Sequence, residues 1–230
     1  MRHDPPPLML FAAGFGTRMR PLTDNCPKPL IQVAGRALID HALDMARSAG
    51  ITRIVANLHY LPDQIEAHLT GTKVVTVREE PEILETGGGL RNALPQLGSD
   101  TVLTLNTDAI WEGPNPITAL LAQWSPDRMD ALLTCVPVAN TGGYTGTGDF
   151  SVATDGRLTR GPGYVYGGLQ IMKTDRLRTL PDAAFSLNVV WNEMASDKRL
   201  FGCAYDGQWC DVGNPGGIVQ AEMMMKKTDV

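Results

Sequence analysis

Four short constellations in the 230 residues could do chemistry. The first runs Gly14-Phe15-Gly16-Thr17-Arg18 and continues through Pro21-Leu22-Thr23 to Pro27-Lys28-Pro29-Leu30. Glycines after a buried strand let the backbone approach a phosphate, and Arg18 and Lys28 add charge-assisted donors suited to a polyphosphate chain. The run lacks the Gly-Lys-Ser/Thr end of a kinase-type P-loop. It also departs from the dinucleotide fingerprint, because Met19 stands where the third glycine belongs. The second constellation is Leu84-Glu85-Thr86-Gly87-Gly88-Gly89-Leu90. Consecutive glycines before a helix leave N–H and C=O groups open to read the edge of a base, and the plainer alternative is a tight strand-to-helix turn. Third comes Asn106-Thr107-Asp108 after the apolar run 101–105. A carboxylate at the mouth of a parallel sheet, beside a triphosphate, is placed to hold Mg²⁺, which takes oxygen ligands and keeps several waters. A capping aspartate is the competing reading. The fourth, Gly207-Gln208-Trp209-Cys210-Asp211-Val212-Gly213, is weak taken alone.

These residues must be positioned by regular elements, and hydrophobic periodicity supplies them. Short apolar runs at 8–12, 53–58, 73–77, 101–105 and 131–136 read as buried strands, and helical spacing marks 38–49, 62–69, 89–97 and 116–124. Strands alternating with helices predict βαβ units, hence an α/β fold with a doubly wound, mostly parallel sheet and helices on both faces. Past residue 136, the pieces 149–153, 157–159 and 164–172 predict a small antiparallel portion. A helix at 186–195, a strand at 200–205 and an amphipathic helix after Pro215 follow. No linker interrupts the chain, so one domain spans 1–230. In open α/β sheets the ligand lies outside the carboxyl ends of the strands, so the loops carrying the first three constellations should share one cleft.

GxGTR joined to PLT and PKPL, with LETGGG, NTD and a closing DVG in this order, resembles the sugar-1-phosphate nucleotidyltransferase family over nearly the whole chain. That resemblance implies a Rossmann-like nucleotidyltransferase fold with a nucleotide-binding half (1–136) and a sugar-binding half (137–230). It implies that Ala12, Ala13, Gly14, Gly16, Thr17 and Arg18 wrap the triphosphate, with Lys28 toward the reacting phosphoryl groups. Glu85, Thr86, Gly87 and Gly88 would bind the nucleobase, with Asn106 beside the nucleotide. Asp211 would join Asp108 as a second Mg²⁺ ligand, and Asp149, Gly168 and Asn188 would contact the sugar. Arg18, Lys28 and Asp108 would carry catalysis. Thr107 departs from the family's middle position, and the lysine that many members direct at the sugar phosphate has only Lys173 as a candidate, at a strand end. Within the family, LETGGG, the GDF piece at 148–150 and the short length are similar to uridylyltransferases acting on N-acetylmuramic acid 1-phosphate. UTP and that sugar phosphate are thus the expected substrates. Other sugar 1-phosphates, phosphocholine with CTP, and a non-catalytic nucleotide sensor are the alternatives.

Composition excludes other classes. With 43% hydrophobic and 20% charged residues the chain can build a core without metal or disulfide staples, and a net charge of −5 opposes sequence-blind nucleic-acid binding. No apolar run reaches the roughly 20 residues of a membrane span, and the N-terminus lacks the apolar core of a secretory signal, so a cytoplasmic location is expected. Cys26, Cys135, Cys203 and Cys210 lack zinc spacing and are expected as buried free thiols. His41, His59 and His68 lack metal spacing too, and nothing in the sequence speaks to oligomeric state.

Overall fold

A computed structural model describes residues 4–228. The first half supplies β1 (Leu8–Phe11), the ribbon β2 (Gln32–Val33) and β3 (Arg36–Ala37), α1 (Leu38–Ser48), β4 (Ile54–Leu58), α2 (Pro62–Leu69), β5 (Val74–Arg78) and α3 (Glu85–Leu97). It continues with β6 (Thr101–Asn106), β7 (Ala109–Glu112), α4 (Pro116–Gln123) and β8 (Ala131–Pro137). The second half adds β9 (Thr141–Gly142), β10 (Phe150–Val152), β11 (Leu158–Arg160), β12 (Tyr164–Lys173) and α5 (Leu187–Ser196). β13 (Leu200–Ala204), β14 (Gln208–Asp211) and α6 (Pro215–Thr228) complete it.

Alternation along β1 sets the layers. Leu8 and Leu10 face one cluster with Ile39 and Leu43 of α1, Ile65 of α2 and Leu120 of α4, whereas Met9 faces another with Leu90 and Leu94 of α3 and Val190 of α5. Side chains of period two thus require helices on both faces of the sheet. Local signals close the helices. Gly50 follows α1 at φ 78°, Pro62 opens α2, and the Asn115 side chain accepts the Ile117 and Thr118 N–H groups at the start of α4.

The strands β6-β1-β4-β5 run parallel in that order, so strand order reverses at β1. Such a reversal opens a crevice at the carboxyl ends of β1 and β6. Beyond β6 the arrangement corrects the sequence reading. β8 is not the next parallel strand, because β12 lies between, antiparallel to both β6 and β8, and β13 then pairs parallel with β8. β12 is buried along most of its length, and an apolar run carries no mark of direction. Its pairing with β8 slips between Tyr166 and Gln170, a bulge at Gly167 and Gly168 next to the crevice.

Asp130, just before β8, ties this part together. Its carboxylate accepts from Arg199 Nε at 2.8 Å, Arg176 at 2.9 Å and Lys173 Nζ at 3.2 Å. Lys173 is thus engaged here, opposite Thr101 at the start of β6 and so at the far end of that strand from Asn106. Burial pushes the Asp130 carboxyl up, but the hydrogen bonds from Arg199, Arg176 and Lys173 outweigh it and hold it below the usual value. A depressed carboxylate contributes stability that is present above its unfolded pKa, about 3.9, and lost as pH falls through the folded one. Asp130→Asn is expected to cost about 2 kcal/mol at neutral pH, with the gap to the unmodified protein narrowing below about pH 4 in urea titrations. A gap constant across that range would contradict this.

Candidate active site

β1 and β6 end side by side, with Phe11 opposite Asn106. Ala12, Ala13 and Gly14 leave one strand while Thr107 and Asp108 leave the other. The departure at Thr107 has a structural role, since its buried hydroxyl donates to the Phe11 carbonyl at 2.8 Å and fastens the two ends. The far end of the chain returns on β14, which pairs antiparallel with β7 and sets Asp211 opposite Ala109. The Val212 N–H donates to the Asp108 carbonyl at 2.8 Å, so the two aspartates come from adjoining backbones.

Lys28, carried on the short turn Lys28–Leu30, reaches Asp108 Oδ2 at 2.7 Å, and both side chains are partly buried. Burial pushes the Asp211 carboxyl up, repulsion from Asp108 pushes it further, and Lys28 and Arg18 pull it back only in part. Two crowded carboxylates whose mutual repulsion is not fully offset make an all-oxygen donor set that a hard dication would relieve. No group of three or more His, Cys, Asp or Glu side chains gathers among the described residues. That donor number fits Mg²⁺, which binds through one or two carboxylates and completes its shell with water and substrate phosphate.

The glycine loop is held by its own threonine. Gly16 has φ 63°, and a Cβ there would lie 2.9 Å from Thr23 Cγ2. The buried Thr23 hydroxyl donates to the Gly16 carbonyl at 2.8 Å. Thr17 and Arg18 sit exposed on the turn that follows. A cavity of about 210 Å³ is walled by Ala12, Ala13, Gly14, Lys28, Glu85, Thr86, Asn106 and Asp108 among others, so those expected residues do converge. Gly16, Thr17 and Arg18 lie outside that wall.

The placement of Gly87 and Gly88 is a correction. α3 begins at Glu85, so the glycines lie inside its first turns, where all three are buried. The Gly87 and Gly88 N–H groups both donate to the Phe185 carbonyl, at 2.8 and 3.1 Å. A Cβ at Gly87 would sit 2.3 Å from the Phe185 ring, and one at Gly88 would sit 2.3 Å from the Ala183 carbonyl oxygen. They permit close packing of a neighbouring segment, which neither sequence reading anticipated. The groups facing the cavity are Glu85, held at φ 58°, and Thr86.

A second cavity, of about 260 Å³, shares Phe11, Thr86 and Asn106 with the first and adds Asp149, Arg160, Tyr166, Asn188 and Trp191. Asp149 Oδ2 accepts the Tyr166 N–H at 2.9 Å. Gly168 does not line it. At φ 86°, with its missing Cβ 2.9 Å from the Asn106 side chain, Gly168 lets Asn106 occupy the junction of the two cavities. Sequence reasoning missed Arg160, which lies over the Phe150 ring at 4.5 Å and donates to Asn188 Oδ1 at 2.6 Å. It also missed Asn57 and Glu79, which line the first cavity. The signal was available for Asn57, a polar residue within the buried strand β4.

Comparison with known proteins agrees with this geometry. Residues 8–145 match the MobA-like NTP transferase domain. The N-acetylmuramate alpha-1-phosphate uridylyltransferase of Caulobacter vibrioides is 39% identical over 96% of this chain and 98% of its own length. The protein of the same name from Neisseria meningitidis is 32% identical over 94% of this chain and 96% of its own. HddC from Yersinia pseudotuberculosis, solved in complex with GMP-PN, superposes with a TM-score of 0.74 at 20% identity over 95% of this chain and 98% of that one, a likeness of fold. No helix among the described residues is long and apolar enough to cross a membrane. The paired aspartates at a strand-order reversal, the matched domain and the near full-length relatives lead to one assignment: the chain belongs to the MobA-like NTP transferase family, as an enzyme of the sugar-1-phosphate nucleotidyltransferase class.

Proposed function

We propose that the chain transfers a uridylyl group from UTP to N-acetylmuramic acid α-1-phosphate in the cytoplasm, giving the UDP-sugar and pyrophosphate. The observation that carries this reading is the meeting of two cavities at Asn106, with Lys28 and Asp108 in the wall of the first and Asp211 electrostatically coupled to both. One cavity suits a nucleotide and the other an acceptor, and the names of the two relatives indicate which pair.

A phosphate oxygen of the sugar 1-phosphate attacks the α-phosphorus of UTP in line, forming one P–O bond as the bond to pyrophosphate breaks. The attacking oxygen is already ionised at neutral pH, so no general base is needed. Positioning and charge stabilisation supply the catalysis. Lys28 and Arg18 offset charge on the triphosphate. Asp108 and Asp211 would hold Mg²⁺, which when bound would neutralise phosphate charge. In the second cavity Arg160 pairs with the anionic acceptor, Asp149 accepts from hydroxyl or amide donors, and Asn188 orients the guanidinium.

Arg160→Ala is expected to raise the KM for the acceptor at least about tenfold while the KM for UTP changes less than about twofold, as loss of a charge-assisted contact to one substrate requires. Equal effects on both would remove Arg160 from the acceptor site. The reading as a whole is tested by pyrophosphate release with Mg²⁺, crossing five nucleoside triphosphates with muramic, glucosamine, glucose and mannose 1-phosphates and phosphocholine. Release confined to UTP with the muramic sugar, abolished by EDTA and restored by Mg²⁺, is the expected result. Release with another pair would replace the substrates, and silence from folded protein would favour a nucleotide sensor.

A further inference from the structure

The buried carboxylate of Glu79 has no part in the chemistry above, yet it sits in the wall of the first cavity, 1% exposed. Its partners form a chain. The Ala12 N–H donates to Asn57 Oδ1 at 2.9 Å, Asn57 Nδ2 donates to Glu79 Oε1 at 2.6 Å, and the Leu84 N–H donates to Glu79 Oε2 at 2.8 Å. Ala12 begins the loop that leaves β1, and Leu84 immediately precedes Glu85 and Thr86. One side-chain pair therefore links the two segments that form opposite parts of the cavity. Asn57 is itself 3% exposed, so neither residue has water to fall back on.

Gly89 is an independent sign that this pair is built in. A Cβ at Gly89 would lie 2.3 Å from Glu79 Oε1 and 2.9 Å from Asn57 Nδ2. Gly87 and Gly88 make room for the 183–185 segment, and Gly89 makes room for the pair. His59 adds a further tie through its Nδ1, 2.8 Å from the Glu79 carbonyl, which holds the backbone of Glu79 as well as its carboxylate.

We propose that Asn57 and Glu79 are positioning residues that fix the spacing between the Ala12 loop and the Glu85–Thr86 segment, so that a nucleoside triphosphate meets both at once. This rests on the reading of the first cavity as the nucleoside triphosphate site. The pair acts through backbone groups and lines only the first of the two cavities, and of the residues it positions only Thr86 also borders the second, so it governs nucleotide affinity more than acceptor affinity.

The hydrogen-bond polarity can be reversed, which gives a test. In Asn57→Asp the donor to Glu79 is lost and two carboxylates face each other. In Glu79→Gln one acceptor is lost. In the double variant, which combines Asn57→Asp with Glu79→Gln, the introduced carboxylate accepts from the Ala12 N–H and from the introduced amide, whose oxygen still accepts from Leu84. Every bond is then restored at unchanged net charge. Amide hydrogen exchange at Ala12 and Leu84, read without substrate, is expected to accelerate at least about tenfold in the single variants and return to within about threefold in the double. The KM for UTP should follow the same order, with the acceptor KM changing less. If Asn57→Asp alone does not fold, recovery of folded, UTP-binding protein in the double variant carries the same conclusion. A double variant no better than the singles, unaltered exchange in Glu79→Gln, or equal effects on both substrates would overturn the proposal. Restored exchange in a protein that turns over no UTP would leave the linkage standing and fault the functional reading instead.

Discussion

Asp108→Asn is expected to lower kcat at least about a hundredfold, with the melting temperature shifted by no more than about 3 °C. The two side chains match in size and the amide oxygen can still accept from Lys28, so the 2.7 Å contact survives as a neutral one. What disappears is a negative charge at the carboxyl end of β6, facing Asp211. Without it the donor set proposed for Mg²⁺ falls to one carboxylate, and a dication there would lose both affinity and a fixed place. Losing one preorganised charge in a partly buried site is worth a few kcal/mol in the transition state, which sets the hundredfold scale. Steady-state turnover at saturating UTP and Mg²⁺ checks it, with calorimetric melting as the control. Near-normal turnover would remove Asp108 from the reacting centre.

Gly88→Ala is expected to have the largest effect on folding, about 3 kcal/mol or more, which in a chain of this size lowers the melting temperature by roughly 6–12 °C. The new methyl would meet the Ala183 carbonyl oxygen at 2.3 Å, the Leu84 Cβ at 3.2 Å and the Ala184 Cα at 3.3 Å. Two of those are backbone atoms, which cannot swing aside as a long side chain can. Relief requires the 183–185 segment to withdraw, and withdrawal breaks the bonds from Gly87 and Gly88 to the Phe185 carbonyl. Gly14→Ala is the contrasting control, since nothing lies within 4 Å of a Cβ there. That variant should melt as the unmodified protein does, and a Gly88→Ala protein that also melts normally would show that the segments do not clamp each other.

Much of the fold was legible from periodicity. α2 falls at 62–69 as read, and the strands at β1, β4, β5, β6 and β8 lie within a residue of their runs, because buried strands and amphipathic helices leave distinct spacings. Strand direction was not legible, so the central, antiparallel β12 read as an appendage. The very short β2, β3 and β9 leave no period to detect, and β7 and β14 went unread although they set Asp211 beside Asp108. At the site, charged residues in the loops after β1 and β6, such as Lys28 and Asp108, were singled out by type and do share one cavity wall. Gly87 and Gly88 were read before the helix and not within it, because a glycine exposing its backbone to a ligand and a glycine making room for a neighbour look alike until the neighbour is known. Arg160 was missed because an exposed arginine at the end of a short strand is ordinary, and only folding sets it over Phe150 in a cavity with Asp149.

The antiparallel seam at β12 also bears on modularity. Cut after residue 136, the chain would keep most of the first cavity but lose β14 and its Asp211, expose the whole edge of β6, and leave β8 without either neighbour, since β12 and β13 both lie beyond the cut. An open edge of that length invites self-association. The two halves are therefore not interchangeable cassettes, and acceptor preference is free to diversify only in what hangs from the seam: the 141–163 loops before it and the 174–196 segment after it. Grafting those two segments together from a relative, with β12 left in place, is the route by which acceptor choice could be exchanged without dismantling the sheet.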